Sequence, residues 1–298
     1  MSRVIDNVKK NYKNLFNILS SQFDEVNGYE FYKDIFPNNE NKGEMNTDYS
    51  KPNAIYMYKD PKDEGTKRTV RRRIMLNDTW KDDFKVFVED NPLTFCSGLS
   101  FRGRVNRLEN AQKIHALIFD LDSVTENELQ NLLLRIGKPV AIRTLPQPTY
   151  IVMSGTGLHI YYIFDEPIDL FPNIKLQMKQ LKYDLTFRIW EYKGTSLEKQ
   201  IQYQGINQGF RMVGSKNDKY KLKIRAFKTG ERVSVETLNE YVINEENKVN
   251  LDQLFKPSIY TREEAKEKFP EWYERVIVQG NKMKNKWHIK RDLYDWWL

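Results

Sequence analysis

Residues 113–124 read KIHALIFDLDSV, and this run constrains the fold more than any other stretch. It has the apolar character of a buried strand, yet it closes on two aspartates, Asp120 and Asp122. Aspartate is depleted from strands, and a buried carboxylate without a partner is costly. Side chains alternate along a strand, so residues two apart share a face. Ile114, Ala116 and Ile118 are therefore expected on the face of the two aspartates, with His115, Leu117, Phe119 and Leu121 opposite. The carboxylates would project together at the strand's C-terminal end, about 6–7 Å apart at the backbone. Such a pair can converge on one or two divalent ions, and Mg2+ often takes one or two carboxylates plus substrate phosphates. The plain alternative is a pair of exposed aspartates opening a turn before Ser123.

The rest of the chain alternates helical and strand patterns, which predicts an α+β fold. Residues 3–23 carry Val4, Val8, Tyr12, Leu15, Leu19 and Phe23 at helical spacing. Residues 36–53 read as a loop, and 65–76 as a strand with a basic edge. Residues 94–108 mix a strand with a Gly- and Arg-rich turn. Thr125 and Gly137 bracket a helix. Residues 148–164 are two apolar runs about a Ser-Gly-Thr-Gly turn, the signature of a hairpin. Residues 168–193 look helical; FRMVGS and YKLKIRAF read as two further strands. Residues 243–258 read as a linker, followed by helix from Thr261. The expected division is a domain over 1–250 and a linker with C-terminal helices over 251–298. Trp296 and Trp297 lie at the end of that tail, which suggests the start of a truncated helical domain.

Composition narrows the classes. The 298 residues are ample for a hydrophobic core without a disulfide or metal staple. The single cysteine, Cys96, excludes an internal disulfide and a cysteine-based zinc ribbon, and fits a cytoplasmic location. No apolar stretch approaches the ~18 residues of a membrane span. The formal charge of +7 fits a polyanionic partner, though many enzymes carry as much.

Two further constellations join the acid pair. SGTGLH places Ser154, Gly155, Gly157 and His159 within six residues. Small residues in a turn let backbone N–H groups approach an anion, and His159 can donate to a phosphate oxygen. An ordinary hairpin with a half-buried histidine is the alternative. FRMVGSK places Arg211 on a strand, with Ser215 and Lys216 at its end, suited to clamping phosphate. Lys221, Lys223 and Arg225 alternate with apolar residues and would give a cationic strand face.

Taken in order, FDLD (119–122), SGTGLH (154–159) and FRMVGSK (210–216) resemble the archaeo-eukaryotic primase superfamily, in particular the primase-polymerases of mobile elements. The resemblance covers about 94–230. It implies an α/β module joined to a catalytic module built like an RNA-recognition fold, with a short C-terminal helical segment. It implies a DNA primase or DNA-directed polymerase carrying out template-dependent nucleotidyl transfer with Mg2+ or Mn2+. Asp120 and Asp122 would hold the metal, and Asp120, Asp122 and His159 would be the catalytic set. Ser154, Gly155, Gly157, His159, Arg211, Ser215 and Lys216 would bind the nucleotide. The implied partners are single-stranded DNA template, nucleoside triphosphates and a helicase, fused or separate, with no membrane. For the template, the basic segments supply Arg71, Arg72, Arg73, Arg102 and Arg104.

One position departs from the family. A third carboxylate is expected on a strand before the Phe-Arg pair, but Gln202 and Gln204 stand there, with Glu198 a candidate substitute. Metal affinity would then depend on the nucleotide's phosphates. This departure supports a second reading, a nucleic-acid-binding replication module with weakened catalysis. A third reading, a haloacid-dehalogenase-type phosphatase with Asp120 as nucleophile, matches IFDLDSVT but has no downstream acidic metal motif.

Overall fold

A computed structural model describes residues 2–37, 50–58, 69–74, 81–82, 84–90, 93–103, 105–217, 219–255 and 260–280. The chain divides into two compact units, residues 1–255 and 256–298.

The first unit is built on an antiparallel sheet. Its strands are β1 (Glu25–Val26), β2 (Ser50–Tyr58), β3 (Thr69–Ile74), β4 (Thr94–Arg102), β5 (Ala111–Leu121), β6 (Tyr150–Met153), β7 (Leu158–Asp169), β8 (Phe210–Arg211) and β9 (Arg225–Lys228). The order across the sheet is β1-β9-β6-β7-β5-β4-β2-β3, with β8 paired to β4. The 113–124 run thus becomes a central strand, flanked by β7 and β4. One face is covered by α1 (Ser2–Ser20), α3 (Glu126–Gly137), α4 (Pro172–Ile189) and α5 (Val235–Asn239), which bury Leu15, Leu132, Leu181 and Leu238 against Leu117, Phe119 and Leu121. The other carries α2 (Gly28–Ile35) and the turn 84–88, where Phe31, Tyr32, Phe84 and Val88 pack on Ala116, Ile118, Tyr161 and Ile163. The two-sided burial explains why the strand reads as an almost continuous apolar run.

Alternation along β5 holds from Ala116 onward but not before it. The pairing with β7 jumps from Ile114↔Ile168 to Ala116↔Ile163, so the register breaks at residue 115. Ile114 consequently packs with Leu117 and Phe119, while His115 sits against Phe36 on the opposite face. The expectation that Ile114 shares the aspartates' face and His115 the other is corrected by this bulge, which shifts the frame of one strand relative to its partner.

Other boundaries also move. Residues 50–53, expected as loop, begin β2, and Pro52 is accommodated because the β2–β4 register shifts there. FRMVGS forms only the two-residue β8 before turning, because Gly214 has φ +95° and Ser215 donates to the Met212 carbonyl at 2.6 Å. YKLKIRAF is a strand only from Arg225; Lys221 has φ +59°, which breaks the alternation proposed for a cationic face. Arg225 itself stands 4.8 Å from the Phe16 ring and makes two bonds to Glu25, at 2.7 and 2.8 Å. Within the stretch read as a linker, residues 247–253 are tied to α4: Asn173 donates to the Gln253 carbonyl, Asn250 N–H to Gln177, and Asn247 to Asp184.

In the second unit, α6 (Arg262–Lys268) opens on a capping box of Thr261 and Glu264, as Thr261 predicts. Pro270 then starts the short α7 (Pro270–Tyr273). Trp296 and Trp297 lie outside the described residues.

Candidate active site

The end of β5 carries the acid pair. Asp120 is directly paired across the ladder with His159 on β7, so the two side chains share a face. The His159 Nε2 stands 3.5 Å from Asp120 Oδ1. The hairpin turn before His159 closes with the Ser154 N–H donating to the Gly157 carbonyl at 3.0 Å. A Cβ on Gly157 would lie 2.2 Å from the Leu121 carbonyl oxygen and 3.1 Å from the Asp122 Cα. The turn is therefore docked onto the strand end that bears the carboxylates, and only glycine permits that approach. Val124 N–H donates to the Thr156 carbonyl and locks the same contact from the other side.

Three loop residues and a helix residue complete the centre. The Gln204 amide donates to Asp120 Oδ2 at 3.4 Å, and Gln202 forms a side-chain bond to Asp122. Glu198 is held by Ser123, whose hydroxyl donates to it at 2.5 Å, and it lies near enough to act on Asp122 electrostatically. Ser123 has φ +54°, a conformation disfavoured for a side chain with Cβ. Lys182 of α4 is only 1% exposed. Its ammonium donates to the Gly205 carbonyl at 3.0 Å and lies 5.9 Å from the Phe119 ring and 5.4 Å from the Phe210 ring. It bridges the two cores, because Phe119 belongs to one and Phe210 to the other.

Burial dominates the electrostatics. It pushes the Asp120 carboxyl up to about 6, against the opposing pull of Gln204, Lys182 and Arg211. Burial and then the charge of Asp120 raise Asp122. Burial drives His159 down to about 3, so its imidazole is neutral near pH 7. Burial also lowers Lys182 to about 7, with Asp120 acting to hold its proton. Perturbed groups of both signs gathered in one cluster make this a candidate functional site. His159 Nδ1 is buried without a hydrogen-bond partner, an arrangement that calls for a reason in a folded protein.

Of the residues singled out by sequence, Asp120, Asp122 and His159 converge with the backbone of the Ser154–Gly157 turn. Arg211 joins them: it acts electrostatically on both Asp120 and His159, and its guanidinium lies 5.5 Å from the Phe95 ring. Ser215 is fully buried and its hydroxyl donates to the Met212 carbonyl, so it shapes the turn and is not presented with Asp120 and His159. Lys216 is exposed in a bridge to Lys223. Arg71, Arg72 and Arg73 lie on β3, at the outer edge of the sheet and three strands away from β5. Arg102 is exposed at the end of β4, and Arg104 lies outside the described residues. Lys182 was missed by sequence reasoning. Its signal was present: it follows Met178 and Leu181 and precedes Leu185 on the apolar face of α4, where a lysine is out of place.

The two carboxylates fit a hard divalent cation as a partial site. Among the described residues, no group of three His, Cys, Asp or Glu side chains is placed to hold an ion. A cation there would need oxygens from a substrate, which is the usual situation for Mg2+. No described helix is long and apolar enough to cross a membrane.

No protein-family model matches this chain, and no curated protein matches it in sequence. Among solved structures, the AEP domain (PP-N190) of the cyanophage S-2L primase-polymerase (PrimPol) is similar, with a TM-score of 0.48 and 11% sequence identity, covering 72% of this chain and 96% of that domain.

Proposed function

We propose that this chain is a nucleotidyltransferase of primase-polymerase type, joining nucleotides on a single-stranded DNA template. One observation carries the reading: Asp120, His159 and Arg211, from three separate segments, meet at one sheet end, and His159 keeps a buried ring nitrogen without a partner. Asp120 and Asp122 would hold Mg2+ or Mn2+, which when bound supplies a positive charge for the attacking and leaving oxygens. Arg211 and the N–H groups of Gly155 and Thr156 in the turn bind the triphosphate. His159, neutral with its one N–H on Nε2 beside Asp120, would share that proton with a phosphate oxygen. A primer or nucleotide 3′-hydroxyl oxygen then bonds to the α-phosphorus, giving up its proton to solvent, as the bond from the α-phosphorus to the α,β-bridging oxygen breaks and pyrophosphate leaves. Mobile-element replication, a helicase partner and template contacts by Arg71–Arg73 and Arg102 belong to the same reading.

The test is primer synthesis and extension on single-stranded DNA with nucleoside triphosphates and Mg2+ or Mn2+. Product that disappears in the Asp120→Ala/Asp122→Ala double variant supports the proposal. Product that survives it refutes the site. Gln202 and Gln204 on the two carboxylates favour the second reading, a binding module without chemistry. Template binding with no extension by the intact protein would select it. The phosphatase reading needs Asp120 as an open nucleophile, whereas Gln204 covers one of its oxygens; turnover of p-nitrophenyl phosphate abolished by Asp120→Asn would revive it.

A further inference from the structure

The acid pair already faces two cationic side chains before any ligand arrives: Lys182 and Arg211 both act on Asp120, while Glu198 acts on Asp122 from the loop. The Gln204 amide occupies one Asp120 oxygen with an N–H donor, and Gln202 bonds to Asp122. Lys182 cannot swing away, since its ammonium is tied to the Gly205 carbonyl and enclosed by the Phe119 and Phe210 rings. That bond also fixes the chain next to Gln204, so lysine and amide form one assembly. A divalent ion entering alone would have to settle beside the fixed Lys182 ammonium and displace the Gln204 amide donor from Asp120. A polyphosphate brings its own negative charge and oxygens, and engages Arg211, which releases the carboxylates to the ion.

We infer that Lys182 and Gln204 are further functional residues, which keep the Asp120–Asp122 pair from holding a divalent cation until a polyphosphate binds with it. The inference rests on the nucleotidyl-transfer reading. Binding of metal and nucleotide is then strongly coupled, and reciprocity requires that each raise the affinity of the other by the same factor.

The experiment is binding, not turnover. Mn2+ affinity of the full chain is measured by electron paramagnetic resonance alone, and that of an α,β-methylene nucleoside triphosphate by calorimetry with and without Mn2+. For the wild type, Mn2+ should raise the analogue's affinity at least about tenfold, within the usual range of allosteric coupling. Gln204→Glu should tighten Mn2+ binding in the absence of nucleotide by about tenfold or more and shrink the coupling, and Lys182→Met should act in the same direction. Thermal melting with and without Mn2+ keeps the test usable if the extra charge loosens the fold: Gln204→Glu should be stabilised by Mn2+ alone, and the wild type should not. Wild-type Mn2+ binding that is equally tight without nucleotide overturns the inference, as do variants whose Mn2+ affinity stays within twofold. An analogue that binds equally with and without Mn2+ overturns the inference alone. One that binds in neither condition overturns the nucleotide reading as well.

Discussion

Asp34 and Asp120 are both half-enclosed aspartates beside the sheet, and the protein treats them in opposite ways. Asp34, on α2, accepts from the Tyr150 hydroxyl at 2.6 Å, from Lys228 at 3.1 Å and from Arg232 at 2.9 Å. Burial pushes its carboxyl up, but the Tyr150 bond and the two cations outweigh that and hold it below the ordinary carboxylate range. Asp120 receives a neutral amide at 3.4 Å and faces a neutral imidazole, and although Lys182 and Arg211 also pull its carboxyl down, burial wins. One aspartate is closed by its neighbours and ties α2 to β9. The other is left under-compensated at the price of stability, which is the pattern of a group kept for an incoming ligand.

The sharpest way to break this contrast is activity. Asp120→Ala with Asp122→Ala should reduce extension by on the order of 10³ or more, because electrostatic stabilisation at the reacting phosphate is lost. Asp34→Ala should leave turnover per folded molecule near that of the wild type. Equal losses would mean that neither aspartate is special. The contrast should invert for stability. Asp34→Ala should cost about 2–3 kcal/mol in urea unfolding, since two partly buried cations lose their partner. Asp120→Asn, measured in EDTA at pH 7, should be neutral or stabilising by ~1 kcal/mol, because a buried charge is relieved. Destabilisation by both would place Asp120 among the structural residues.

A subtler test uses pH. His159 ordinarily titrates at 6.5 and is held down to about 3; Asp120 ordinarily titrates at 3.8 and is held up to about 6. Between those limits the unfolded chain carries more proton on His159, so this group makes stability rise with pH. The folded chain carries more proton on Asp120, so that group makes stability fall with pH over its own window. The two oppose each other between about pH 4 and 6. Unfolding curves in EDTA should therefore tilt downward with rising pH in His159→Gln, and upward in Asp120→Asn, relative to the wild type. Parallel curves for all three would remove the electrostatic account of the site. The smallest effect is expected at Glu25→Gln: its pair with Arg225 is partly exposed, and its loss should cost less than about 1 kcal/mol by the same unfolding measurement.

Much of this site was legible because its parts are local. A period of two placed Asp120 and Asp122 together, and a run of small residues announced the turn that Gly157 docks onto the strand end. The phosphate-clamp expectation for Arg211 followed from residue type and order, and the sheet brings Arg211 beside Asp120. What remained hidden depends on tertiary neighbours. Nothing local says that Ser215 turns inward or that Arg225 meets Glu25, 200 positions away in sequence. Lys182 was hidden by the habit of reading a lysine as surface, although its helical phase put it among Met178, Leu181 and Leu185. Composition marks 243–258 as a linker and does not show that the Asn247 side chain and the Asn250 backbone N–H meet partners on α4.

The register break at residue 115 has a bearing on how such a chain can change. Downstream of it, β5 is frame-locked: one residue added between Ala116 and Leu117 would turn both acids onto the face covered by α1, α3 and α4 and send Phe119 to the opposite face. Upstream, between Ile163 and Ile168 of β7, the ladder already tolerates unmatched residues, so length variation there can be absorbed without rotating the acids. Insertions and deletions among descendants of this chain should accordingly collect at the bulge, and anyone transplanting the acid-bearing strand into another sheet must begin the graft at Ala116.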